Sequence, residues 1–350
     1  MCVLAVVAPA DADGPFVRAW SLGVSPALIH ELADAPGRTG EFFALNRGKI
    51  QRFNAAGARL DEFAAPSKSS RIATDPTGAV PHLLVVSSAT KWTGAIDHTV
   101  TTDYFLQALD TSGTEVWRKR FDPKEVASLE PSVVVLNSRP AIILSASRRI
   151  LAFDARGSQL WSASIWHHPG SVTAAAVSPD GSNSLLAAVA PRQEIVRIDG
   201  DGEVRGPWGS GDGPSRVRAM TTDGRPYAVS LRQVFGRGQG VRHALAFFDG
   251  SGTVLREVEL PPDSHHLSYM PIGPLDTDGS GRRNWVLGLG DGTILVFSPQ
   301  GEELARYATG ERLRTIHALR QQNGPDLLVG ATHRGLTAWR PVPGRIGRRR

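Results

Sequence analysis

A four-residue turn of the form Asp/Asn-x-x-Gly returns through this chain at intervals of 44–56 residues, each time between two short apolar runs. Copies stand at Asn54-Ala-Ala-Gly57, Asp110-Thr-Ser-Gly113, Asp154-Ala-Arg-Gly157, Asp199-Gly-Asp-Gly202 and Asp249-Gly-Ser-Gly252, and Ser298-Pro-Gln-Gly301 is a sixth with Ser in first place. An Asp or Asn side chain accepts from its own backbone two residues on, and Gly supplies the positive φ that closes the turn. A repeat of this period, bounded by strands, is the blade of a β-propeller.

The runs before the turns (residues 50–53, 105–109, 150–153, 195–198, 244–248 and 294–297) read as strands, and so do those after them. A further apolar run lies upstream of each, at 41–45, 82–86, 141–144, 184–189, 227–231, 285–289 and 326–329, and a more variable strand precedes that. The unit is then four antiparallel strands, a to d from the axis outward, and the b strands count seven. Blade six is the clearest, with Asp291-Gly292 as a tight hairpin turn between two apolar runs. In the last blade Pro341-Val342-Pro343 follows strand c, so its strand d must come from elsewhere. The N-terminus offers one: Asp11-Ala-Asp-Gly14 repeats the turn, and 16–22 reads as the strand.

The expected fold is all-β, a seven-bladed β-propeller of four-stranded antiparallel blades over residues 13–342, closed by the N- and C-terminal strands. Such closure removes the open edges that template aggregation. The alternative is eight blades, with a partial one beginning at Val3. Residues 1–12 form a tail and 343–350 a basic tail.

Asp110–Trp117 and Asp154–Trp161 share the form [DN]-x-x-G-x-x-φ-W, which resembles the repeat of the PQQ-like (quinoprotein-type) propellers. The segment Asp276-Thr-Asp-Gly-Ser-Gly-Arg-Arg-Asn284, running into Trp285-Val-Leu-Gly, is similar to the acidic turn of FG-GAP (VCBS) repeats. The first likeness covers most of the chain and the second one blade. Both imply the fold, and neither implies one function. A PQQ dehydrogenase adds quinone ligands and a catalytic Asp in a larger chain, and since none is identified no PQQ is expected.

The FG-GAP likeness implies Ca²⁺. Asp276, Asp278, Ser280 and Asn284 set alternate oxygen donors around a Gly-enforced bend, the way short loops wrap a hard cation. Positions five and nine, usually acidic in that family, are neutral here. The two readings are a structural Ca²⁺ on these four residues and a metal-free Asx-type turn.

A net charge of +5, carried mainly by Arg, favours planar anions as partners, because guanidinium binds carboxylate and phosphate bidentately. Hydrophobic residues make up 41% of the chain, enough for a substantial core. The single Cys2 excludes disulfides and CxxC zinc sites. No apolar run approaches the roughly 18–20 residues that span a bilayer, so no membrane insertion is expected. The apolar opening, followed by Ala10-Asp-Ala12, resembles the end of a secretory signal without its basic start, which points to an extracytoplasmic (periplasmic or secreted) protein; an apolar N-terminal strand is the other reading.

In a propeller the b–c and d–a loops share one face. Six of seven b–c loops here carry a cation: Arg47, Lys91 beside Trp92, Arg148-Arg149, Arg192, Arg237 and His333-Arg334. The second and fifth read as insertions, 87–102 and 232–242. The d–a loops add Trp166-His167-His168 and His265-His266. One charge sign around a mouth focuses potential on anions, and the Trp rings can stack on sugars. This basic face is expected to hold an anionic ligand, either a polyanionic polysaccharide or an acidic protein surface, in a monomeric, non-catalytic binding scaffold. No element suited to a nucleic-acid groove is present. The competing enzyme is a uronate polysaccharide lyase, with His168 or His266 as general base and an Arg on the substrate carboxylate. A transition-metal site on His168, His266 and His333 is a further reading, and so are ordinary polar loops. His30 and His317 fall in inner strands and read as satisfied core residues, and Trp117, Trp161 and Trp285 read as inter-blade packing.

Overall fold

The computed structural model describes residues 14–23, 29–46, 48–75, 78–93, 99–122, 129–146, 149–165, 169–175, 184–189, 194–210, 214–235, 241–261 and 272–347. They form seven four-stranded antiparallel sheets. Blade 1 is β2 (Ile29–Ala35), β3 (Arg38–Asn46), β4 (Lys49–Asn54) and β5 (Arg59–Ala64). Blade 2 is β6 (Arg71–Ala73), β7 (Leu83–Thr93), β8 (Thr99–Leu109) and β9 (Glu115–Phe121). Blade 3 is β10 (Leu129–Leu136), β11 (Arg139–Ala146), β12 (Arg149–Phe153) and β13 (Gln159–Ser164). Blade 4 is β14 (Pro169–Ala175), β15 (Ser184–Val189), β16 (Glu194–Ile198) and β17 (Val204–Ser210). Blade 5 is β18 (Pro214–Thr222), β19 (Arg225–Phe235), β20 (Val241–Asp249) and β21 (Val254–Glu259). Blade 6 is β22 (Ile272–Asp276), β23 (Arg283–Gly288), β24 (Thr293–Phe297) and β25 (Glu303–Ala308).

Blade 7 takes β26 (Leu313–Leu319), β27 (Leu327–Thr332) and β28 (Gly335–Pro341) from one end of the chain and β1 (Phe16–Leu22) from the other. β1 runs antiparallel to β28 from Phe16↔Pro341 to Leu22↔Leu336. Arg18 pairs with Glu311 at 3.0 Å, and Val342 N–H donates to the Pro15 carbonyl at 2.9 Å. The fold is the expected propeller, with seven blades rather than eight. The inner strands touch in sequence around the axis, with β26 back against β2.

The repeated turn works as its chemistry requires. Asp154 Oδ1 accepts from the N–H groups of Arg156 (2.9 Å) and Ser158 (2.8 Å), while Gly157 N–H donates to the Asp154 carbonyl at 3.0 Å. Asn54, Asp110 and Asp249 repeat the pattern. At Asp110 the Ser112 hydroxyl, then the Thr114 and Ser112 N–H groups, hold the carboxyl below its ordinary value.

Four of the turns, those of blades 1 to 4, also receive an aromatic ring from strand d of the preceding blade. Trp117 Nε1–H donates to the Ala155 carbonyl at 2.9 Å, Trp161 to Gly200 at 2.9 Å, and Trp20, on β1, to Ala55 at 2.8 Å. The rings lie flat on the turn glycines: a Cβ on Gly202, whose φ is +90°, would stand 2.7 Å from the Trp161 ring. Trp117 and Trp161 are therefore inter-blade packing. Trp285, 1% exposed, joins the core between blades 5 and 6. Elsewhere the core is made by the b and c strands of adjacent blades, as where Trp20, Phe42 and Phe53 stack with centroids 6.4 and 5.4 Å apart.

Replacing Gly202 by Ala should cost about 2–5 kcal/mol, the sum of a left-handed backbone penalty and overpacking against the indole. Equilibrium urea unfolding of G202A checks this, and a loss below about 0.5 kcal/mol would show that the ring does not depend on this close approach.

Candidate functional site

The b–c and d–a connections share one face, as the strand order requires. Arg149, His333 and Arg334 lie on it and are exposed. His333 and Arg334 form the β27–β28 turn, where Arg334 N–H donates to Thr332 Oγ1 at 3.1 Å. Lys91 and Trp92 lie in β7, paired in register with Thr101 and Val100. Arg47, Arg148, Trp166, His167, His168, Arg192, Arg237, His265 and His266 lie outside the described residues.

The two segments read as insertions continue the strands at both their ends. β7 and β8 stay paired out to Thr93↔Thr99, although β6 pairs β7 only as far as Val86 and β9 pairs β8 only from Tyr104. β19 and β20 likewise pair out to Phe235↔Val241, beyond the last β18 pair at Arg232. Two-stranded ribbons thus rise from blades 2 and 5, three places apart in a ring of seven. The β-branched and aromatic residues Thr90, Trp92, Thr93, Thr99, Val100, Thr101 and Thr102 are the sequence signal for the first ribbon. Arg232, at the base of the second, is 6% exposed, pairs with Glu257 and lies over the Phe248 ring 5.6 Å from its centroid. It is a packing residue.

A second locus was not anticipated. The axis holds a cavity of about 370 Å³, lined among the described residues by strand a of six blades. Alternation along a strand puts Arg216 and Arg218 of β18 on its wall together, as it does Thr315 and His317 of β26. Arg71, Arg283 and Arg320 complete the cations, against the carboxylates Glu31, Asp34 and Asp326. Arg71 and Glu31 form an ion pair between blades 2 and 1. His317 Nε2 lies 3.0 Å from Asp34 Oδ1, which joins blade 7 to blade 1. His317 is satisfied, as expected, but on the cavity wall with 23% of its side chain exposed. Burial opposes the imidazolium. The Asp34 carboxylate, by charge and hydrogen bond, and Asp326 behind it outweigh that and hold the His317 pKa above its ordinary value.

The acidic turn sits at the a–b end of this cavity and fastens three blades. Asp276 Oδ1 accepts from Gly279 N–H (2.7 Å) and Asp278 N–H (3.2 Å), and its Oδ2 accepts from Gly281 N–H (2.7 Å). Asp278 Oδ1 accepts from Ser280 N–H at 3.0 Å; the Ser280 hydroxyl first, then that N–H, hold its carboxyl below the ordinary value. Asn284 turns its amide to Thr277 Oγ1 at 3.0 Å. Asp276 N–H donates to Asp326 Oδ2 and Asp326 N–H to the Asp276 carbonyl, both at 2.9 Å, tying blade 6 to blade 7. Arg283 N–H donates to Thr222 Oγ1 at 2.9 Å, tying blade 6 to blade 5. Both Asp276 oxygens thus accept from the turn's own backbone, and the Asn284 amide nitrogen is engaged by Thr277.

No protein-family model matches the chain, and no curated protein sequence matches it. Solved structures do. BBS1N in complex with ARL6DN is similar over 98% of each chain, with a TM-score of 0.63 at 9% identity. BamB from Moraxella catarrhalis is similar over 97% of this chain and 96% of its own, with a TM-score of 0.51 at 15% identity. Virginiamycin B lyase from Staphylococcus aureus is similar over 90% and 95%, with a TM-score of 0.56 at 12% identity. At these identities the likeness is one of fold. The resemblance to PQQ-like propellers holds at that level.

The His317–Asp34 contact makes a pH prediction. A folded-state pKa above the unfolded value of about 6.5 adds stability that is fully present below pH 6.5 and lost as pH rises through the folded pKa. Asp326 titrates below that window in the unfolded chain, and its own raised pKa, caused first by burial, acts in the same direction, favouring the folded state at low pH and working against it as pH rises. Asp34→Asn should therefore destabilise by about 1–3 kcal/mol at pH 6, the worth of a hydrogen bond to a charged group. The difference should narrow as pH rises. Urea unfolding of both proteins from pH 5.5 to 9 checks it; parallel curves would refute the assignment.

Proposed function

We propose that this protein is a non-catalytic binding scaffold that docks an acidic protein surface on its b–c face, between the two β ribbons. The observation that carries this reading is the pair of hairpins, β7–β8 and β19–β20, that run on past their four-stranded blades. A two-stranded ribbon that outruns its blade is anchored only at its base, as by Lys68 to Thr90 and Arg242 to Glu259, and edges beyond that base suit pairing with an extended partner segment. They flank a face on which Arg149, His333 and Arg334 are exposed. Guanidinium groups on such a rim steer an acidic partner and set its orientation more than they add affinity. The similarity to BBS1N, solved with a protein partner, is consistent with the same use of the fold.

Biolayer interferometry against acidic proteins and uronate polymers, beside turnover assays on those polymers, tests this. Salt-sensitive binding to acidic proteins without turnover is expected, weakened about tenfold (~1.4 kcal/mol) in an Arg149→Ala/His333→Ala/Arg334→Ala variant. Binding to the polymers alone would move the ligand to a polyanionic glycan. Release of unsaturated uronate ends would replace the scaffold with a lyase.

The FG-GAP-like turn enters this reading as a metal-free staple between blades 5, 6 and 7. Excess Ca²⁺ should then leave Tm within about 1 °C of its value in EDTA, whereas a calcium site filled to 100 times its Kd would add about 2.7 kcal/mol. A rise of several degrees by differential scanning fluorimetry would restore Asp276, Asp278, Ser280 and Asn284 as ligands.

A further inference from the structure

We infer that the axial cavity is a binding site for a small multivalent oxyanion, of carboxylate or phosphate chemistry, held by Arg283 and Arg320. Among the described residues the wall carries five arginines and three carboxylates, an excess of two positive charges before His317 is counted. The carboxylates are already engaged. Glu31 pairs with Arg71, Asp34 with His317, and Asp326 accepts the Asp276 N–H while burial pushes its carboxyl toward the neutral form.

Arg283 and Arg320 are both partly buried at the a–b end of the cavity. Among the described residues neither guanidinium has an ion pair or side-chain hydrogen bond. They act on each other through space: burial first, then the charge of Arg320, lowers the Arg283 pKa, with the carboxylates of Asp326, Asp276 and Asp34 acting against this without offsetting it. Placing two cations together in a partly desolvated cavity is unfavourable unless an anion joins them. Ile72, Ile272, Val286 and Ile316 supply low-dielectric walls, which strengthen the field on whatever enters.

The guanidinium fork matches the planar carboxylate or a phosphate face with two parallel hydrogen bonds, which a chloride ion cannot use. A cavity of about 370 Å³ lies at the small end of ligand sites, which run from about 300 to 1,000 Å³. That admits a di- or tricarboxylate or a small phosphate, and excludes a polymer. The site is independent of the partner face, since it draws on the a strands and a–b turns and not on the b–c loops.

Isothermal titration calorimetry with citrate, succinate and inorganic phosphate, against a chloride background of matched ionic strength, tests the site. One saturable site is expected for at least one probe, and the tighter of the carboxylate and phosphate arms assigns the class. Arg320→Gln should weaken it at least tenfold, and Arg320→Lys, which keeps charge without the fork, should fall between. His333→Ala, on the other face, should leave it unchanged. A readout on the unaltered protein runs beside these: the same probe should protect Arg283 and Arg320 from phenylglyoxal, read by peptide mass spectrometry. No binding above chloride, equal binding in R320Q, or labelling of both arginines undiminished by the probe would each overturn the inference.

Discussion

The ring depends on one contact made again and again, an aromatic side chain from the outer strand of one blade laid on the glycine turn of the next. Trp20, Trp117 and Trp161 each cover a turn glycine and donate the indole N–H to a carbonyl in the same turn. Phe63 over Gly113 makes the apolar part of the contact alone. The contact needs both halves. Gly must be there to admit the ring and to hold positive φ, and Asp or Asn must be there to hold the turn in place beneath it. Because Trp20 stands on β1, this contact also crosses the junction at which the chain's two ends meet. Closure is therefore built as any other blade interface is, with the β1–β28 ladder added to it.

Locking the blades at their outer rim leaves the inner strands a different task. The a strands converge on an axis that carries polar and charged side chains beside apolar ones such as Leu32, Ile72, Ile272 and Ile316. Polar residues there pair between blades, as Arg71 does with Glu31 and His317 with Asp34. On the a–b side the acidic turn adds backbone bonds to blades 5 and 7. The charge on the axis is thus partly structural, and Arg283 and Arg320 are the pair on which the inferred anion site rests.

Most of the fold could be read from local chemistry. The turn, its period, the apolar runs beside it and the missing last strand are all properties of segments a few residues long, so blade number and closure followed without any long-range information. The two ribbons were legible only in part. Ser88–Thr93 and Thr99–Asp103 carry β-branched and aromatic residues as strands do, yet their length broke the repeat and made them look like loops. The acidic turn shows the opposite case. Its sequence reads as a cation loop, but its bonds to other blades, to Asp326 and Thr222, join residues 50 and more apart that no local motif reveals. The cavity was invisible for the same reason. Arg216-Val-Arg218 and Thr315-Ile-His317 carry the right alternation, but six strands must be brought around one axis before it reads as a site.

The two faces of the ring consequently carry different physics. On the side of the a–b and c–d turns, Asp276, Asp326, Thr222 and the carbonyls of Ala55, Ala155 and Gly200 bond across blades, so that a substitution there is felt as stability. On the b–c side Gly48 and His333 bond within their own blades, to Ala65 and Arg312. Residues on that side can change without loosening the ring, and ribbons can grow from two blades while the other five stay as they are. A surface free of structural duty is where a scaffold can acquire a partner, whereas the axis, tied into the blade contacts, couples any anion it holds to the stability of the ring itself.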